Sequence, residues 1–181
     1  MAILILILAS FYYFLPAYFA NGSPVIFQKI NPLKTPVDFN KKFKGKPIFG
    51  HHKTWGGLII AILVGLLTFY IQTLLYQYSF FQKYSLINYP EYSLWLGFLL
   101  GFGAIVGDLI KSFFKRRVNK KPGHSWVPFD QLDFVIGAFL FSFIIYIPPA
   151  FTILLIIIVS PFLHILANHL GYYLKIKKSK W

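Results

Sequence analysis

The chain has 181 residues and five acidic side chains: Asp38, Glu91, Asp108, Asp130 and Asp133. Three of the five fall between 108 and 133, beside Lys111, Lys115 and Arg116. Carboxylates interleaved with Lys and Arg suit phosphoryl chemistry. Their oxygens hold Mg²⁺, which keeps several waters and often needs only one or two carboxylates, while the cations take up charge on a leaving phosphate. The number of ions three aspartates would serve stays open between one and two. There is no cysteine, which excludes a thiol nucleophile, a disulfide framework and a thiolate metal site.

The spacing puts these groups on helix faces. Asp108, Lys111, Ser112 and Lys115 stand at i, i+3, i+4 and i+7, one face of a helix. Gly97, Gly101 and Ala104 continue that stripe backwards, and small residues there let another helix approach closely. Asp130, Asp133 and Gly137 form a second stripe at i, i+3 and i+7. We expect the two stripes to face each other, so that cysteines at 104 and 137 would cross-link. A lone aspartate in the membrane costs roughly 2.5–3.5 kcal/mol on insertion scales, so Asp108 needs a partner. An interfacial ion pair with Lys111 or Lys115 would satisfy it alone. Three carboxylates with three cations go further and point to a functional site.

The elements that must position these groups are membrane helices. The chain is 57% hydrophobic and 13% charged, where a soluble domain is about a quarter charged. Five apolar spans are read at about 2–20, 55–76, 94–114, 132–147 and 151–174, close to the length that crosses a bilayer. The expected fold is an all-α integral membrane protein, one catalytic domain over 1–181, with cytoplasmic loops 21–54 and 115–131. The first span lacks the basic flank of a signal peptide and is read as retained. Loop 21–54 holds seven lysines from Lys29 to Lys53, the loop over 77–92 only Lys83, and the loop after the third span a cluster from Lys115 to Lys121. Pro148-Pro149 turns with no charge, and the tail carries Lys175, Lys177, Lys178 and Lys180. Rich and poor loops alternate, which places the N-terminus outside and the C-terminus in the cytoplasm. The 18 Lys and Arg residues sit beside spans, a placement that fits topogenic charge and anionic headgroups and not nucleic acid.

The stretch Gly107-Asp108-Leu109-Ile110-Lys111-Ser112-Phe113-Phe114-Lys115-Arg116 continues to Lys121-Pro122-Gly123-His124 and closes on Asp130-Gln131-Leu132-Asp133. It resembles the signature of the CTP-dependent lipid cytidylyltransferases. Ser125-Trp126 after the histidine and Gln131 within the closing pair look like the archaeal branch, the CDP-archaeol synthases. Lys53-Thr54-Trp55-Gly56-Gly57 resembles a second family motif, with Gly56 where relatives carry Arg or Glu. Asn21 and Asp38 also match family positions.

The resemblance implies transfer of a cytidylyl group from CTP to 2,3-bis-O-geranylgeranylglyceryl phosphate, giving CDP-archaeol and pyrophosphate with Mg²⁺. The partners it implies are CTP, a lipid phosphate with isoprenoid ether chains, and the lipids of a cell membrane. The site would face the cytoplasm, and the number of copies in the assembly is left open. Catalytic roles fall to Asp108, Lys111, Lys115, Arg116, Asp130 and Asp133, with the three aspartates on metal. CTP and phosphate contacts fall to Asn21, Asp38, Lys53, Thr54, Ser112, Lys121 and His124. For Asn21, Asp38, Ser112 and His124 a structural role stands beside the functional one, and Trp55 and Trp126 are read as interfacial anchors or stacking partners. His164 and His169 are read as packing or interfacial residues and not as ligands. The rival reading is a transporter or channel with an ionic pathway on the third span. It requires polar groups through the whole membrane depth, whereas these lie at one end.

Overall fold

The computed structural model describes residues 2–120 and 124–176. Its main elements are helices: α1 (Ala2–Ile26), α2 (Trp55–Leu75), the short α3 (Ser79–Lys83), α4 (Trp95–Arg117), α5 (Phe129–Ser142) and α6 (Ala150–Tyr173). A 3-10 turn covers Tyr89–Glu91. Two two-residue strands, β1 (Lys42–Phe43) and β2 (Lys46–Pro47), pair antiparallel in the first loop.

Among the described residues, four helices (α1, α2, α4 and α6) are long and apolar enough to cross a membrane. The expected fourth span is shorter and earlier than its hydropathy indicates. The helix starts at Phe129, ahead of Asp130, and ends at Ser142. Fourteen residues at about 1.5 Å each reach ~21 Å, against a hydrocarbon core of ~30 Å.

The first span also departs from expectation, running on to Ile26 through Asn21, Gly22 and Pro24. Those residues read as a turn, but Ala20 and Ser23 are buried. Pro24 packs near Gly57 of α2, where a methyl would sit 3.4 Å from its ring. Burial here outweighs local propensity.

α4 is the central helix, packed against α1, α2 and α5. Two glycine seams set its approaches. Gly97 and Gly101 face α2, where a Cβ on Gly65 would lie 2.8 Å from the Gly101 Cα. Gly103 and Gly107 face α5, where a Cβ on Gly103 would lie 2.5 Å from the Gly137 carbonyl oxygen. The α4–α5 pairing expected from the sequence is present, but the small residues that make it are Gly103 and Gly107. The Gly97–Gly101 stripe serves α2 instead. One helix carries several small stripes about 100° apart, and the sequence does not say which neighbour takes which.

Phe14, Phe69, Leu100, Ala104 and Phe134 fill the middle of the bundle. Buried hydroxyl pairs tie α1 to α6: Ser10 with Thr152 at 2.9 Å and Tyr18 with Ser160 at 2.7 Å. At the end away from Asp108, the fully buried Tyr89 packs on Tyr12 and Phe69, with ring centroids 5.6 and 5.3 Å away.

Candidate active site

The close seam at Gly107 and Gly137 brings the last turns of α4 against the first turn of α5. Three aspartates and three lysines meet there. Lys111 Nζ lies 3.1 Å from Asp108 Oδ1, 2.9 Å from Asp130 Oδ1 and 3.0 Å from Asp133 Oδ2. Lys115 Nζ donates to both oxygens of Asp130 at 2.9 Å. Lys53, just ahead of α2, pairs with Asp108 Oδ2. Asp130 also accepts from the backbone N–H of Trp126, which ties the chain after 124 to the same group. The six side chains balance in formal charge, so the centre is an interlocked ion cluster with no uncompensated carboxylate.

Two clefts adjoin this cluster, and Lys111 and Lys115 line both. The first, about 170 Å³, is lined by Asn21, Asp108, Asp130, Asp133 and His124, and also by Gln131, His164 and Asn168. The second, about 130 Å³, is lined by Phe49, Gly50, His52, Lys53, Ser112 and Arg116. The two differ in chemistry. The first mixes carboxylates, amides and imidazoles. The second has cations and a hydroxyl but no carboxylate on its wall, and the Arg116 Nε there is buried without a hydrogen-bond partner. Partial desolvation, with the neighbouring His51, Lys53 and Arg116, lowers the His52 pKa below the usual imidazole value. That cleft is suited to an anion.

Most of the residues expected at the site gather here: Asp108, Lys111, Lys115, Arg116, Asp130, Asp133, Asn21, Lys53, Ser112 and His124. Lys121 lies outside the described residues. Two others stand aside. Thr54 caps α2, its Oγ1 accepting from the Gly57 N–H at 3.2 Å and from Asn31 Nδ2 at 3.2 Å. Asp38 is buried in the first loop and accepts from the N–H groups of Asn40 at 3.0 Å, Phe49 at 2.9 Å and Gly50 at 3.1 Å. Burial alone would raise its carboxyl pKa, but those N–H donors hold it below the ordinary value. Asp38 thus shapes the strand of loop that forms the wall of the second cleft. Trp126 packs on Phe129 and Trp55 on Phe39, and neither lines either of these two clefts.

Sequence reasoning passed over Gln131, Asn168 and His52 as site residues and read His164 as a packing or interfacial residue. The available signal was polar residues in apolar surroundings. His164 and Asn168 stand i, i+4 on α6 and so share a face. Gln131 is 2% exposed, and its Oε1 has no hydrogen-bond partner.

The oxygen donors suit a hard divalent cation in kind. Asp108, Asp130 and Asp133 already converge on one cationic point, which Lys111 Nζ fills. Among the described residues no three carboxylate or imidazole side chains form a ready-made metal cage.

Fold and site define the class: a polytopic helical membrane protein with an ionic centre at one end of its bundle. The family model for CarS-like proteins, described as CDP-archaeol synthase, matches residues 3–181. The CDP-archaeol synthase of Pyrococcus furiosus is 43% identical over 178 residues, covering 97% of this chain and 98% of that protein. That of Methanocaldococcus jannaschii is 40% identical over 177 residues, covering 97% and 98%. A solved structure described as an intramembrane enzyme for archaeal membrane lipids biosynthesis superposes with a TM-score of 0.70. It is 26% identical and covers 87% of this chain and 90% of its own. The chain belongs to the CDP-archaeol synthase family.

Proposed function

We propose that this chain carries out the reaction for which its family is named, transferring the cytidylyl group of CTP to a membrane lipid phosphate, 2,3-bis-O-geranylgeranylglyceryl phosphate. The products are CDP-archaeol and pyrophosphate. The observation that carries the reading is the convergence of Asp108, Asp130 and Asp133 on Lys111, a residue that lines both an anion-suited cleft and an amide-lined one.

A lipid phosphate oxygen forms a new bond to the α-phosphorus of CTP, and the bond from that phosphorus to the bridging oxygen of the β-phosphate breaks. A phosphate monoester has a second pKa near 6, so the nucleophile is largely a dianion at neutral pH and needs no strong base. Catalysis is then positioning and charge neutralisation. Lys111 and Lys115 border both clefts and neutralise phosphate oxygens of both reactants. Lys53 and Arg116 take charge on the pyrophosphate side, and Ser112 donates a hydroxyl there. Asp108, Asp130 and Asp133 are the groups that would hold Mg²⁺. When bound, that ion supplies Lewis-acid stabilisation of the triphosphate.

We also read the chain as one catalytic unit with five crossings, its N-terminus outside and its site toward the cytoplasm. In that reading α5 and residues 143–147 together make the short fourth crossing. The alternation of basic and charge-poor loops supports it. The transporter reading has less support, because apolar side chains fill the bundle beyond Asp108 and Tyr89 closes its far end. The test supplies purified protein with labelled CTP, Mg²⁺ and the archaeal lipid phosphate. Metal-dependent label in extracted lipid is expected, and none at any substrate concentration would reject the assignment.

A further inference from the structure

The β1–β2 hairpin of the first loop has no part in the ion cluster, yet it is fixed firmly to the helix that carries it. Arg117, the last residue of α4, donates to the carbonyls of Phe43 at 3.0 Å and Lys46 at 3.3 Å, and also to that of Pro47. In return Lys46 Nζ donates to the Arg117 carbonyl at 2.9 Å. The Arg117 guanidinium lies over the rings of Phe43 and Phe113, 5.4 and 4.6 Å from their centroids. Lys115, which holds Asp130, is two residues earlier on the same helix.

What this anchorage presents is apolar and cationic together. Phe39 is 60% exposed and Phe43 47% exposed, and Lys41, Lys42 and Lys44 are exposed around them. The one acidic residue of the loop, Asp38, is buried with both oxygens accepting backbone N–H groups, so it does not offset these lysines. The depth is set by two ring contacts. Phe39 packs 6.1 Å from Trp55 in the first turn of α2, and Phe43 packs 6.2 Å from Phe113 near the end of α4. Both contacts lie at the ends of membrane-length helices. Aromatic rings at that level with lysines beside them are the arrangement that binds a charged bilayer surface.

We propose that the hairpin is a docking surface for anionic lipid headgroups, and that it concentrates the lipid phosphate substrate beside the site. The second clause rests on the lipid-phosphate reading above. The occupant is membrane lipid, because the exposed rings lie at interface depth and charge complementarity calls for an anion there.

The test is steady-state kinetics in nanodiscs of phosphatidylcholine, with and without phosphatidylglycerol, at 0.15 M salt to screen distant charges. For the unmodified protein, phosphatidylglycerol should compete for the surface and raise the lipid-phosphate KM, in mole fraction, several-fold. For the variant with Lys41→Glu, Lys42→Glu and Lys44→Glu, that KM should already be high in phosphatidylcholine, by roughly ten-fold or more. Phosphatidylglycerol should then add little. The CTP KM and the melting temperature should stay where they were. Equal lipid-phosphate KM values in all four conditions, or a CTP KM that rises in step, would overturn the proposal while leaving the reaction intact. Should the variant not fold, the phosphatidylglycerol titration of the unmodified protein decides alone, and an unchanged lipid KM there overturns the proposal. Absence of any CDP-lipid in every condition is a different failure, that of the reaction itself.

Discussion

Lys111 of α4 lies 3.0 Å from Asp133 of α5, spanning the two helices where the glycine seam brings them together. Its ammonium also meets Asp108 and Asp130, so one cation holds three carboxylates in register. Removing it should do two separable things. Lys111→Met should lower kcat at least a hundred-fold and should also destabilise the fold by about 3–5 kcal/mol, the usual cost of leaving buried charge without its partner. Adding Asp133→Asn should recover part of the melting temperature and none of the activity. Thermal melts in detergent beside turnover measure both. Lys178→Met in the tail should leave turnover near normal.

The Asp38 carboxylate organises backbone and should behave as a loop residue. In Asp38→Asn one acceptor becomes a donor facing the Phe49 and Gly50 N–H groups. Leaving those donors unsatisfied costs about 1–3 kcal/mol locally. Because the loop walls the second cleft, the CTP KM should rise more than kcat falls. The pH sign follows from the lowered folded pKa. The carboxylate's contribution is fully present above the ordinary unfolded value. It fades only as pH falls through the lower folded one, so the loop should stay intact across mildly acidic buffers. Hydrogen exchange of the Phe49 and Gly50 amides against pH reads this directly.

The α4–α5 seam should tolerate no side chain. A Cβ on Gly107 would come within 2.9 Å of the Asp133 carbonyl carbon, a backbone atom that cannot swing away. Gly107→Ala should therefore part the helices, lower the melting temperature and cut turnover by ten-fold or more. Gly22→Ala on α1, where nothing lies within 4 Å of the new methyl, should be neutral or stabilising by about 0.5–1 kcal/mol.

Gln131 has a buried amide oxygen with no hydrogen-bond partner at the wall of the first cleft. Gln131→Leu keeps the size and removes that unsatisfied acceptor, so the melting temperature should hold or rise. If the amide contacts a substrate, the KM of one substrate should increase about ten-fold, near the cost of one lost hydrogen bond. Unchanged KM values for both substrates would return Gln131 to a packing role.

The gathering of the charged side chains was legible because it follows helix geometry. Asp108, Lys111, Ser112 and Lys115 share a face by spacing alone, and Asp130 and Asp133 stand i, i+3 near the start of α5. Pairing the two helices needed only small residues and opposite charge. The glycine stripe that makes the contact was not legible, because rotation of one helix against two neighbours is settled in three dimensions. The end of α1 was missed for a similar reason: Asn21, Gly22 and Pro24 signal a turn, and burial against α2 overrides them. Gln131, His164 and Asn168 come from α5 and α6 to one cleft, and the sequence does not show which faces of those helices meet.

The central claim is that the three gathered aspartates serve cytidylyl transfer to a lipid phosphate. It is tested most directly by Mg²⁺-dependent incorporation of labelled CTP into extracted lipid, by the unmodified protein and by Asp108→Asn, Asp130→Asn and Asp133→Asn. The account predicts labelled CDP-lipid from the unmodified protein, with each variant folded and reduced at least a hundred-fold. Near-normal turnover in the Asp108 or Asp133 variant, or incorporation indifferent to Mg²⁺, would contradict it.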